Sequence, residues 1–225
     1  MKKIHYYFSW FRNGLPKKVA DLLHNDILEK KSLVTICTRP SGDSVIEKEE
    51  YRMVKDDWLD AAGIVFDEYH FIDYTIKKED AHKLLKNASV IYLHGGDTHT
   101  QSQFIREYEL ETPIRNSNAS VIMGMSAGAE NMAMHYVRAK STGWTSAEGV
   151  TVHNGIGLDK FTYVGHFIVD DSKLIESELF PISQDMNIYA QCDEATMRIK
   201  DGNIEILGDM YLISDSSISK LKVEL

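Results

Sequence analysis

Val121-Ile122-Met123-Gly124-Met125-Ser126-Ala127-Gly128 is the stretch from which the rest of the chain is read. Its first three residues are a short apolar run of the kind that forms a buried strand. Gly124 to Gly128 is a Gly-x-Ser-x-Gly pentapeptide, and Ala129-Glu130-Asn131-Met132-Ala133-Met134-His135-Tyr136 after it reads as helix. A serine between strand and helix sits on a sharp turn, and the glycines remove Cβ atoms that such a turn cannot hold. The hydroxyl then projects from the end of a sheet. It also lies near a helix N-terminus, where free backbone N–H groups stabilise an oxyanion. The pattern predicts a nucleophilic serine at position 126. A turn kept only for packing is the plain alternative.

Outward from this stretch the chain alternates strand and helix. Residues 4–8 read as a first strand, and Arg12-Asn13-Gly14-Leu15-Pro16 as a turn into a helix with Val19, Leu22, Leu23 and Ile27 on one face. Residues 33–37 are a second strand. Met53, Val54, Trp58, Leu59 and Ala62 then recur at helical spacing up to Gly63. Strands are expected at 69–74, 89–93 and 120–123, with helices at 81–85 and 101–108 between them. This rhythm predicts an α/β fold, a mostly parallel sheet with helices on both faces, in one domain spanning 1–225. Ligands of such folds bind at the carboxyl ends of the strands. After Gly149 shorter strands are expected at 164–169, 195–199, 204–207 and 210–213, with Asp201-Gly202 as a hairpin turn.

Composition narrows the function classes. The 225 residues are 43% hydrophobic, enough for one sizeable core. The net charge of −9 lacks the basic footprint of a nucleic-acid binder. Two cysteines, Cys37 and Cys192, make neither a disulfide framework nor a metal cluster and read as free thiols in a reducing compartment. The start, Met1-Lys2-Lys3-Ile4-His5-Tyr6-Tyr7-Phe8, lacks the apolar core and cleavage site of a signal peptide. No stretch is apolar enough to span a membrane. A cytoplasmic protein is the expectation, with no cofactor.

A second motif, His94-Gly95-Gly96-Asp97-Thr98, follows the strand at 89–93. Adjacent glycines let the backbone approach a ligand and aim N–H groups at it. Tetrahedral intermediates of acyl transfer need two such donors. The Gly95–Gly96 segment supplies one and the Ala127 N–H the other, with Asp97 beside the substrate. Gly-Gly-Asp-Thr is equally a helix N-cap. The base should be one of nine histidines. His166, in Tyr163-Val164-Gly165-His166-Phe167-Ile168-Val169, returns to the same sheet edge, whereas His135, on the helix after the serine, should point elsewhere. His94 and His99 flank the glycine loop, and His153 falls in a loop. Asp97-x-His99 lacks the second ligand cluster of a metal site, and no Walker or Gly-x-Gly-x-x-Gly loop is present.

Taken in order, these blocks resemble the peptidase E (aspartyl dipeptidase) and cyanophycinase family of serine peptidases. The match runs from Tyr92-Leu93-His94-Gly95-Gly96-Asp97-Thr98 through Gly124-Met125-Ser126-Ala127-Gly128-Ala129 to Gly155-Ile156-Gly157-Leu158 and Gly165-His166-Phe167. Cys192-Asp193-Glu194-Ala195-Thr196 and residues 201–208 complete it. The resemblance implies a class I glutamine-amidotransferase-like, flavodoxin-like three-layer fold. It also implies a triad in the order serine, acid, histidine, with Ser126 first and His166 last, and a small peptide as substrate.

Three departures stand out. The family's glycine loop usually reads Gly-Gly-Gly-Asn, so position 97 becomes acidic here. No carboxylate lies in residues 138–144, where the resemblance puts the acid; Glu148 is the nearest later candidate, and Asp170 and Asp171 lie past the histidine. Aspartyl-specific members carry arginine shortly after the histidine, whereas here only Lys173 is basic. The expectation is a serine peptidase or dipeptidase using Ser126, His166 and Glu148. An α/β-hydrolase-like esterase and a non-catalytic relative are the alternatives.

Overall fold

The computed structural model describes residues 3–41, 49, 51–142 and 149–221. Glu148 lies outside them. Five parallel strands form the centre of a seven-stranded sheet: β1 (Ile4–Phe8), β2 (Ser32–Ile36), β3 (Glu68–Ile72), β4 (Val90–Leu93) and β5 (Val121–Met125). The sheet is completed by β10 (Thr196–Lys200) and β11 (Asn203–Leu207), in the order β11-β10-β1-β5-β4-β2-β3. β10 runs antiparallel to β1, and β11 antiparallel to β10. Their connection, Asp201-Gly202, has φ of 55° and 85°, the two positive values that a type I′ hairpin demands.

Side chains of the central strands alternate between two cores. Ile4, Tyr6 and Phe8 face one side, where α1 (Lys17–Asp26) and the π-type helix α2 (Met53–Asp60) cover them with Leu23 and Trp58. Tyr7, Ile91 and Leu93 face the other side. There they meet α3 (Lys78–Asn87), α4 (Thr98–Glu107), α5 (Glu111–Arg115) and α6 (Ala127–Met132). This period-two burial on both faces matches the expected α/β arrangement.

The C-terminal third adds what the strand pattern did not resolve, a second sheet. It joins β6 (Ala133–Arg138), β7 (Thr151–Asn154), β8 (Asp159–Val164), β9 (Ile188–Gln191), β12 (Met210–Ser214) and β13 (Ser217–Lys220) in the order β13-β12-β9-β8-β6-β7. Short helical segments, Ser172–Leu174, Ile175–Leu179 and Phe180–Ser183, pack Ile175 and Leu179 against its other face.

Two expectations are corrected here. The helix read over 129–136 stops at Met132, and His135 lies on β6. The reason is competition for carbonyls. Ile156 N–H donates to Asn131 O at 2.7 Å and Leu158 N–H to Met132 O at 2.8 Å, so two of the carbonyls that the next helical turn would use are already taken. The strand read over 164–169 instead ends at Val164, and His166 sits on the turn beyond it with φ 53°.

Two polar groups, the half-buried Asp159 and the buried Gln191, join the sheets. Asp159, at the start of β8, accepts from Tyr7 Oη and pairs with His5 Nδ1, each at 2.7 Å. Near the other end of β1, the Gln191 amide donates to Tyr7 O at 3.0 Å and Ala195 O at 2.6 Å and accepts from Tyr163 Oη at 3.0 Å.

Candidate active site

Ser126 follows β5 directly and begins α6. Its φ of 50° and ψ of −114° lie outside the ordinary regions for a side-chain-bearing residue. Two close approaches hold it there. A Cβ on Gly128 would collide with Leu93 O, and one on Gly124 would come within 2.6 Å of Met132 Sδ. The Ser126 N–H continues the pairing of β5 with β1 by donating to Phe8 O at 2.8 Å.

His166 Nε2 lies 2.7 Å from Ser126 Oγ. The imidazole's other nitrogen, Nδ1, lies 2.7 Å from Asp193 Oδ1. Topology explains how three distant segments meet. β8 and β9 run parallel with Val164 opposite Ala190, so the residues after each emerge side by side. Phe167 N–H donates to Gln191 O at 3.0 Å and fastens the two ends. β10 runs antiparallel to β1 with Thr196 opposite Phe8, which brings the turn before β10 to the carboxyl end of β1. The carboxylate that meets the imidazole in the described residues thus follows the histidine in the chain, and sequence reasoning gave Asp193 no role. The signal was present: Cys192-Asp193-Glu194-Ala195-Thr196 is a carboxylate-bearing block just before a strand. Asp171 caps the helical segment at Ser172 by accepting from Leu174 N–H at 3.2 Å.

The glycine loop lies at the end of β4. Gly95 O accepts from Thr38 Oγ1 at 3.0 Å and from His94 Nδ1 at 2.6 Å. Its peptide to Gly96 is trans, so the Gly96 N–H points away from those partners. Gly96 has φ 136°, and a Cβ there would collide with Thr38 Oγ1. A Cβ on Gly95 would stand 3.6 Å from that of Ser126, so the loop and Ser126 are neighbours. Ala127, the first residue of α6, keeps its N–H outside the helical ladder. Asp97 caps α4, accepting from Thr100 N–H at 2.6 Å. Burial works against its ionisation, but the Thr100 bonds and the nearby Arg138 outweigh it and hold the carboxyl below its ordinary range.

The glycine loop and the Ser126 turn are also clamped from beneath. Thr98 Oγ1 donates to the buried Glu130 at 2.5 Å, and the Asn131 amide donates to Thr98 O at 3.0 Å and Gln101 Oε1 at 2.9 Å. Both α6 residues thus grip the first turn of α4. His135, His153 and His99 make their contacts away from Ser126, His166 and Asp193. His135 pairs with Asn154 Oδ1, and His153 stacks on Tyr136 while bonding Thr151. His99 faces His153 at 6.3 Å between ring centroids. Cys192 is half-buried, and burial pushes its thiol up to about 11. Among the described residues no group of three His, Cys, Asp or Glu could hold a metal ion, and no helix is long and apolar enough to cross a membrane.

The sequence model of peptidase family S51 matches residues 17–207, which contain Ser126, His166, Asp193 and the glycine loop. The chain belongs to peptidase family S51. It is therefore a serine-type peptidase, a hydrolase of peptide bonds. Solved structures agree on the fold of this S51 member. It is similar to a peptidase from an acI-B1 Actinobacterium, at 19% identity over 98% of this chain and 94% of that one, with a TM-score of 0.69. It is also similar to a putative peptidase E protein from Listeria monocytogenes EGD-e, at 17% identity over 91% and 98% of the two chains, with a TM-score of 0.60. No curated protein matches the chain.

Proposed function

We propose that this S51 member hydrolyses small peptides through Ser126, His166 and Asp193. The observation that carries the reading is the unbroken chain of hydrogen bonds from Ser126 Oγ through the imidazole to Asp193. Ser126 Oγ attacks the scissile carbonyl while His166 Nε2 takes its proton. Asp193 holds the Nδ1–H and so keeps Nε2 free to accept. The N–H groups of Gly96 and Ala127 receive the oxyanion. His166 then gives its proton to the leaving amine, and water enters by the same steps in reverse to release the acyl group. Gly95 and Asp97 shape this loop, Gly95 through its doubly held carbonyl and Asp97 through the helix cap.

The choice of a small peptide rests on the motif resemblance to peptidase E. A preference for N-terminal aspartate finds less support. Past His166 the chain exposes Ile168 and Val169, followed by Asp170 and Asp171, and no cation precedes Lys173. A fluorophosphonate probe followed by peptide mapping tests the nucleophile. Modification of Ser126 in the wild type and none in Ser126→Ala is the expected result; an unmodified wild type rejects the reading. A panel of neutral and aspartyl dipeptides beside simple esters then tests the substrate class, with cleavage of neutral dipeptides expected.

A further inference from the structure

Ser9 is the first residue beyond β1 and is wholly buried. A hydroxyl in such a place needs partners for both its hydrogen and its lone pairs. It finds them in the candidate triad. Ser9 Oγ donates to Asp193 Oδ1 at 2.8 Å and accepts from the His166 backbone N–H at 2.9 Å. It also stands 3.4 Å from His166 Nδ1. The same carboxylate oxygen therefore takes the Ser9 hydroxyl and the imidazole Nδ1–H. One buried hydroxyl touches both members of the pair that must stay in register.

We infer that Ser9 is a positioning residue of this site, acting on the reaction through Asp193 and His166 rather than on the substrate. The inference rests on the Ser126–His166–Asp193 reading above. Both groups that Ser9 holds need an external restraint. His166 adopts φ 53°, a conformation its own side chain disfavours, and the bond from its N–H to Ser9 helps to keep it there. Asp193 sits on the exposed turn between β9 and β10, with its side chain 39% accessible. Packing alone does not choose its rotamer, whereas a second donor on Oδ1 does. Ser9 can impose this geometry because it is rigid itself: β1 lies between β5 and β10, and Trp58 packs on Phe11 just beyond it at 5.3 Å between ring centroids.

Without the hydroxyl, the imidazole–carboxylate bond loosens and the imidazolium loses part of its stabilisation. The rate should fall, and the acid limb of its pH profile should move to lower pH. The experiment is the second-order rate of Ser126 labelling by a fluorophosphonate across pH in wild type, Ser9→Ala and Ser9→Thr. Each variant is also combined with Asp193→Asn, and thermal melts report folding. Ser9→Ala is expected to label about 10²-fold more slowly, the scale of a small misplacement of reacting groups, with the limb shifted acidward. Ser9→Thr, which keeps the hydroxyl, restores both. In the Asp193→Asn background the Ser9 effect disappears, because residues that act through one another are not additive. Ser9→Cys carries the same test if Ser9→Ala fails to fold. A wild-type rate and limb in Ser9→Ala overturn the inference. So does a slower rate with an unmoved limb that persists undiminished beside Asp193→Asn, the signature of a merely structural role. A wild type that does not label at Ser126 at all rejects the underlying triad instead.

Discussion

Ser126 at φ 50°, His166 at φ 53° and Glu194 at φ 63° are side-chain-bearing residues in the left-handed region, and all three lie in or beside the candidate triad. Each such residue costs about 1–3 kcal/mol unless its surroundings over-determine it. Here they do: Glu194 N–H donates to Trp10 O at 2.7 Å, and its carboxylate accepts from Arg12 N–H at 2.8 Å. The strained residues are therefore held by β1 and the loop after it. Asp193→Asn should lower kcat by about 10⁴, the loss seen when a triad base takes the wrong tautomer, with little change in the melting temperature. Glu148→Gln should leave the rate within a few-fold of wild type; steady-state kinetics on the two variants separate the acid expected from the sequence from the one proposed here. Gly96→Ala tests the loop. Its φ of 136° and the collision with Thr38 Oγ1 make both stability and rate suffer. About 1–3 kcal/mol of stability and at least about 10² in kcat are the expected losses, read by denaturant melts and turnover.

At the level of elements, local motifs were legible and long-range pairings were not. The serine turn, the glycine loop and the strand-to-helix alternation are written in contiguous residues, because a sharp turn demands small side chains wherever it occurs. The end of α6 was not, since Ile156 and Leu158 remove its carbonyl acceptors from more than twenty residues away. Nor was Asp193 visible as a partner of His166. It is delivered by β9, a four-residue strand too short to announce itself, and by β10, whose antiparallel pairing with β1 no local pattern specifies. Gln191 is the residue that makes this delivery dependable. It is fully buried and satisfies Tyr7 O, Ala195 O and Tyr163 Oη together. Burial holds the Tyr163 hydroxyl well above its ordinary range, so it remains a donor throughout the working pH range. Gln191→Leu strands all three groups, each costing about 1–3 kcal/mol when left unpaired. A loss of at least about 2 kcal/mol in denaturant melts, with slower labelling of Ser126, is expected. Unchanged labelling in a folded variant would show that the Asp193 turn is held by other means.

Across the whole molecule, the parallel core was legible because its inner strands, such as Val90–Leu93 and Val121–Met125, are buried on both faces and read as continuous apolar runs. The second sheet was not, because strands such as Thr151–Asn154 and Ser217–Lys220 are short and polar enough to pass for loops. One buried ionic cluster fastens α1 to the sheet on the face away from the second sheet. Asp26, with its side chain 1% exposed, accepts from Arg198 Nε at 2.6 Å and Nη2 at 2.8 Å. It also accepts from Tyr6 Oη at 2.6 Å and Lys200 Nζ at 3.2 Å. Burial alone would push its carboxyl up, but the bonds from Arg198, Tyr6 and Lys200 outweigh burial and leave it below the ordinary carboxylate range. A carboxyl whose folded pKa is depressed contributes stability that is fully present above its unfolded value, about 3.9, and is lost as pH falls through the folded value. Asp26→Asn takes away the buried counter-charge of Arg198 and leaves it only the more exposed Glu205 carboxylate, 2.6 Å from Nη1, so the cost should approach, from below, the about 3–5 kcal/mol of a fully broken buried pair. Urea melts from pH 7 down to pH 3 should therefore show that deficit in full at neutral pH. The gap to wild type should start to narrow near pH 4 and continue to close below it, because only the wild type has this carboxylate to lose. A gap that stayed constant down to pH 3 would mean that the cluster contributes by packing rather than by charge.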